Sequence, residues 1–142
     1  MKRDVQHVII AEDEVIVALS LAHDLNSAGF RVTVTHNGLQ AREADAQDAA
    51  DILLTDLQMP HLGGLDLIRC LRARRPMLPV IIMTGRTPSS SAFHDTLGPT
   101  LCIAKPISDR DLLRGLRAML VWCTDAAVAR SDAVRDRRRV HC

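Results

Sequence analysis

Five side chains with complementary chemistry stand at the ends of short apolar runs in this chain of 142 residues. Val8-Ile9-Ile10-Ala11 leads into Glu12 and Asp13, Ile52-Leu53-Leu54-Thr55 into Asp56, Val80-Ile81-Ile82-Met83 into Thr84, and Leu101-Cys102-Ile103-Ala104 into Lys105. Short apolar runs bounded by turn formers read as buried strands. An open α/β sheet binds its ligands at the carboxyl ends of its strands. Three carboxylates, one hydroxyl and one ammonium then converge on one edge. Carboxylates gathered without a cation repel one another and cost stability, a conflict that a bound metal resolves. Hard oxygen ligands suit Mg²⁺, and phosphoryl transfer onto a carboxylate is one chemistry that needs such a set of a nucleophile, a cation and positioned donors. Taken singly, a strand-end Asp or Thr is usually a turn or cap residue, and a Lys before Pro is usually solvated. The argument lies in the convergence.

The elements that must position these groups alternate along the chain. Apolar runs give strands at 7–11, 31–35, 51–55, 79–84 and 100–104. Amphipathic segments give helices at 14–27, 37–47, 64–74 and 108–123, with a weak one near 88–97. Five repeats of strand then helix imply a parallel sheet with helices on both faces, because parallel neighbours need long crossovers. Gly29 is placed to end the first helix and Asn37 to cap the second. Ser108 with Asp111 resembles a capping box, the shorter Asp standing in for Glu. Thr87-Pro88-Ser89-Ser90-Ser91 is rich in loop formers, so the fourth helix is expected to be short or mobile.

The set, in this chain order, resembles the receiver domain of two-component response regulators, of the CheY-like, stand-alone type. The residues that carry the resemblance are the acidic pair Glu12 and Asp13, Asp56 followed by Met59, Pro60 and Gly64, then Thr84, then Lys105 with Pro106. It runs from about Val5 to about Trp122. The resemblance implies a doubly wound, flavodoxin-like α/β fold with a five-stranded parallel sheet in the order 2-1-3-4-5. The receiver would span residues 4–123, with a basic tail at 124–142 that continues the last helix or lies disordered.

The resemblance also implies a role for each residue. Asp56 receives a phosphoryl group from a sensor histidine kinase, a histidine phosphotransferase or a small donor such as acetyl phosphate. Asp13, with Glu12 acting through water, holds Mg²⁺ together with the Asp56 carboxylate and the backbone carbonyl of Gln58. Lys105 pairs with Asp56 at rest and with the phosphoryl group afterwards. The Thr84 hydroxyl donates to a phosphoryl oxygen, and Gly85 leaves room for that oxygen. Gln58 and Arg86 occupy positions that tune the lifetime of the acyl phosphate, and Arg86 predicts a long-lived phosphoform. Pro106 follows a cis peptide in this pattern. Such a protein is a signalling module and not an enzyme, catalysing only its own phosphorylation and dephosphorylation.

One position departs from the family. Receivers usually carry Tyr or Phe in the fifth strand, where this chain has Cys102, and the chain contains no Tyr. The expected aromatic link from Thr84 to the surface is absent. Ordering of the serine-rich loop and weak fourth helix on phosphorylation is the expectation in its place. Pairing of two copies through the fourth helix, fifth strand and fifth helix, common in the family, would use this departing face.

Composition narrows the alternatives. With 18 Lys and Arg against 17 Asp and Glu, the formal charge of +1 provides no global field for nucleic acid or membrane. The basic stretch Arg130 to Arg139 lacks the interleaved aromatics of a nucleic-acid binder. The amino terminus shows no targeting pattern, so a cytoplasmic protein is expected. Cys70, Cys102 and Cys123 fall in apolar periodic segments and read as buried reduced thiols, while Cys142 reads as exposed. Histidines 7, 23, 36, 61, 94 and 141 read as surface or packing residues, with only His61 in the loop after Asp56. No DNA-binding region is expected after Trp122. A direct switch, a phosphorelay intermediate and a phosphate sink then remain open. An Asp-dependent phosphatase of the haloacid dehalogenase type needs an acidic residue two positions after its nucleophile, where this chain has Gln58.

Overall fold

The computed structural model describes residues 5–85 and 98–121. Its strands are β1 (His7–Ala11), β2 (Arg31–Thr35), β3 (Ile52–Asp56), β4 (Val80–Thr84) and β5 (Thr100–Ala104). Its helices are α1 (Val15–Ser27), α2 (Gly38–Gln47) and α3 (Gly64–Arg72), followed by helical residues 109–121, here α4. The strands form one parallel sheet in the order β2-β1-β3-β4-β5, as the resemblance implies. The expected weak helix near 88–97, Arg86, Cys123 and the tail at 124–142 lie outside the described residues.

Side chains alternate across the pleat, so each central strand feeds two cores. Val8, Ile10, Ile52, Leu54, Ile81 and Met83 meet Ala18, Leu21 and Leu25 of α1 and Leu112 and Leu116 of α4. Ile9, Ala11, Leu53, Val80 and Ile82 meet Ala41 of α2 and Leu67, Ile68 and Leu71 of α3 on the other side. Burial on both faces explains why these strands read as unbroken apolar runs instead of alternating ones.

The caps form where the sequence places them. Phe30 N–H bonds the Leu25 carbonyl at 3.0 Å and Gly29 N–H the Asn26 carbonyl at 3.1 Å, a Schellman closure of α1. Gly29 takes φ +96°, which an L side chain resists. Asn37 Oδ1 accepts from Gln40 N–H at 2.9 Å at the start of α2, and Ser108 Oγ from Asp111 N–H at 3.1 Å before α4.

Two buried polar residues tie the amino-terminal edge of the sheet. The His7 ring reaches the Ala49 carbonyl at 3.0 Å and Thr33 Oγ1 at 2.7 Å, and its backbone N–H donates to Asp51 at 2.7 Å. The Arg72 guanidinium, at the end of α3, donates to the carbonyls of Leu78 and Pro99 and to Thr100 Oγ1. It thereby fixes the chain entering β5.

The thiols differ from expectation. Cys70 and Cys102 are both exposed. On α3 the inward stripe is Leu67, Ile68 and Leu71, which turns Cys70 out. On β5, an edge strand, Leu101 and Ile103 turn towards the α1 and α4 side, leaving Cys102 on the opposite face. Among the described residues, no helix is long and apolar enough to cross a membrane.

Candidate functional site

Because all strands are parallel, their carboxyl ends lie along one edge, and the order of the sheet brings β1, β3, β4 and β5 side by side there. Asp56 closes β3, Thr84 closes β4, Glu12 and Asp13 follow β1, and Lys105 follows β5. Each expected group is therefore at the expected edge. Oxygens from Glu12, Asp13 and Asp56, one from each, lie within 4.8 Å of one another.

Lys105 holds the centre. Its Nζ donates to Asp56 Oδ2 at 2.7 Å and to Glu12 Oε1 at 2.6 Å. The first bond is the resting pair that the sequence pattern implies. The second joins residues 93 apart in sequence and was not visible there. The Lys105 backbone N–H bonds the Thr84 carbonyl at 2.7 Å, fixing β5 against β4 at the site. The Lys105–Pro106 peptide is cis, as the pattern implies.

Burial and charge pull the carboxyls apart. Glu12 is fully buried. That burial pushes its carboxyl up to about 7, against the Lys105 hydrogen bond and with the help of the neighbouring Asp56. Burial raises Asp56 too, but the hydrogen bonds to Lys105 and Glu12 outweigh it and hold Asp56 below the usual carboxylate range. Burial opposes the charge of Lys105, yet its two carboxylate partners hold it above the ordinary lysine value. Asp56 is thus held as the anion of the pair, and Glu12 is the carboxyl that keeps its proton up to about pH 7.

The loop after β3 is shaped by contact. A Cβ at Gly64 would sit 2.1 Å from the Asp56 carbonyl oxygen and 2.9 Å from Leu57 Cα, so only glycine fits there. A Cβ at Gly38 would meet the Leu62 carbonyl oxygen at 2.3 Å. Gly64 N–H closes the loop onto the Leu57 carbonyl at 2.9 Å, and Gln58 N–H donates to Asp56 Oδ1 at 3.3 Å. Exposed His61 takes φ 69° within this loop. Beyond β4, a Cβ at Gly85 would meet no atom of the described residues within 4 Å. Arg86 is outside the described residues.

Glu12 Oε2 is buried and has no hydrogen-bond partner among the described residues. A buried oxygen without a donor carries a desolvation cost unless a ligand satisfies it. Glu12, Asp13 and Asp56 together offer an all-oxygen donor set, which fits a hard divalent cation.

The sequence pattern of the response regulator receiver domain matches residues 8–117. The chain belongs to this receiver family. The receiver is similar to the uncharacterized transcriptional regulatory protein YkoG of Bacillus subtilis, 34% identical over 116 residues, or 80% of this chain and 50% of that one. It is also similar to the response regulator MprA of Mycobacterium tuberculosis, 31% identical over 129 residues, or 90% and 56%. It spans about half the length of these curated relatives. Among solved structures, the Vibrio cholerae chemotaxis protein CheY4 superimposes with a TM-score of 0.76 at 22% identity, over 82% of this chain and 99% of that one. The receiver domain of a Pseudomonas aeruginosa sensor histidine kinase, with a magnesium ion coordinated in its active site cleft, gives a TM-score of 0.73 at 26% identity, over 82% and 98%.

One residue at the site escaped sequence reasoning. His36, read as a surface or packing histidine, brings Nδ1 to 3.0 Å from the Glu12 carbonyl oxygen. Its position between the end of β2 and the cap Asn37 was the available signal.

Proposed function

We propose that this receiver is a phospho-acceptor module in which Asp56 takes a phosphoryl group from a phosphohistidine. In that step an Asp56 carboxylate oxygen attacks phosphorus, the phosphorus–nitrogen bond breaks with its electron pair returning to nitrogen, and the histidine, already protonated on its other ring nitrogen, leaves as neutral imidazole. Asp13, Asp56, the backbone carbonyl of Gln58 and Glu12, directly or through water, would hold Mg²⁺. The ion supplies charge neutralisation for the phosphoryl oxygens. Lys105 exchanges its bond to Asp56 for one to the new phosphoryl group, while the Thr84 hydroxyl donates to another of its oxygens and Gly85 leaves the approach open. The carrying observation is the Lys105 ammonium shared between Glu12 and Asp56, beside an unsatisfied Glu12 oxygen.

The donor is a sensor histidine kinase or histidine phosphotransferase, and the output is a conformational change read by a partner protein in the cytoplasm. Support for a protein donor lies on α1, where Val15, Ile16 and Leu19 are exposed beside a groove that runs to Lys105 and Pro106. An apolar partner helix seated there would bring its phosphohistidine to the mouth of the site. The receiver acts on no external substrate.

Intact mass after incubation with acetyl phosphate and Mg²⁺ tests the proposal. One added phosphoryl group is expected, absent in Asp56→Asn and in EDTA. No addition to the wild-type chain, with a donor kinase also present, would refute it.

A further inference from the structure

The ladder between β1 and β2 ends at the site, where Glu12 N–H donates to the Thr35 carbonyl at 3.1 Å. One step further the chain leaves the sheet, since Asn37 caps α2. The Glu12 carbonyl therefore has no β2 backbone N–H to receive. His36 Nδ1 stands 3.0 Å from that oxygen in its place. A carbonyl only accepts, so Nδ1 carries the proton.

The histidine is itself held. Its backbone N–H donates to Gln40 Oε1 at 2.9 Å, and Gln40 N–H donates to Asn37 Oδ1 at 2.9 Å. Three hydrogen bonds link the first turn of α2, by way of the His36 backbone N–H and then its ring, to the peptide joining Glu12 to Asp13. Both acidic side chains hang from that peptide, so any rotation of it displaces both.

We infer that His36 is a positioning residue that fixes the Glu12–Asp13 peptide and thereby sets the affinity of the acidic pair for a divalent cation. The inference rests on the proposed Mg²⁺ site. His36 touches neither the cation nor the phosphoryl group; it acts through the Glu12 carbonyl. Partners that orient metal ligands in this way commonly govern affinity.

The test is an NMR titration of the whole chain with Mg²⁺ alone, in wild type, His36→Ala, His36→Asn and Asp13→Asn, with thermal midpoints measured alongside. Asn places an amide N–H at the same number of bonds from Cα as Nδ1. Loss of one ordinary hydrogen bond predicts about a fivefold rise in Mg²⁺ Kd for His36→Ala. His36→Asn should stay within about twofold of wild type, with thermal midpoints unchanged. If the alanine chain does not fold, His36→Leu takes its place. Unchanged affinity in His36→Ala overturns the inference, as does an asparagine variant as weak as alanine. Failure of the underlying site is distinct: wild type would then show no Mg²⁺ binding, or Asp13→Asn would bind as well as wild type.

Discussion

Replacing Glu12 with Gln should stabilise the metal-free fold at pH 8 by about 3 kcal/mol. Burial, the largest influence, together with the nearby Asp56 overcomes the Lys105 hydrogen bond and moves the Glu12 carboxyl from an ordinary 4.5 to about 7. At about 1.36 kcal/mol for each tenfold change in proton affinity, the ionised carboxylate costs the fold about 3 kcal/mol. Below the unfolded value the carboxyl is protonated in both states and costs nothing. Between 4.5 and about 7 the unfolded chain has released the proton while the folded chain keeps it, so wild-type stability falls relative to the variant as pH rises. Above about 7 the difference levels off. Gln cannot ionise, its amide oxygen can still accept from Lys105, and Asp56 remains to pair that ammonium. Asp56 and Lys105 are present in both chains, so their contributions largely cancel in the difference. Urea unfolding in EDTA, followed by circular dichroism at several values between about pH 4 and pH 8, measures it. Two results would refute the reasoning: a stability difference independent of pH, or a variant less stable than wild type at pH 8. Adding Mg²⁺ should narrow the difference by stabilising wild type more than the variant, since occupancy of a native-state site adds to stability.

Gly64→Ala should destabilise by about 1 to 3 kcal/mol, the cost of overpacking against atoms that cannot yield. Here the new Cβ meets the Asp56 carbonyl oxygen and Leu57 Cα. A thermal midpoint equal to wild type would show that α3 can back away from β3. Lys105→Met should lower stability at pH 8 by about 3 kcal/mol, because two largely buried carboxylates lose their shared cation. The loss should shrink as acid protonates them, and urea unfolding at about pH 5 and pH 8 would expose a constant loss as contrary evidence.

Sequence made the strand ends legible for a physical reason. The central strands are apolar on both faces, and each run breaks sharply at a charged, hydroxyl or turn residue, so their boundaries fall within a residue of expectation. Asp56 sits at the end of β3 as expected. The order of the strands came from the motif resemblance, because periodicity does not say which strands are neighbours. Membership of an apolar segment does not say which face a residue takes, and this is why Cys70 and Cys102 were misread as buried. The His36 contact depends on the register of β1 against β2 across 24 residues, and the Glu12–Lys105 bond on the closure of the whole sheet. The complete burial of Glu12, which sets its acidity, is likewise a tertiary property.

The buried His7 at the far edge of the sheet bears on how accurately the site is built. Since Val8, Ile9, Ile10 and Ala11 are apolar and buried whichever way they point, a slip of β1 by one residue would exchange one greasy contact for another. Hydrophobicity fixes register only where polar and apolar residues alternate. Here the ruler must be polar and sit at the strand's ends. At one end His7 engages Ala49, Thr33 and Asp51, and at the other Glu12 engages Lys105. Shifted by one step, β1 would forfeit both sets at once. The placement of the acidic pair is therefore measured off from a histidine five residues away, and that distant polar stop belongs to the precision of the site as much as the carboxylates do.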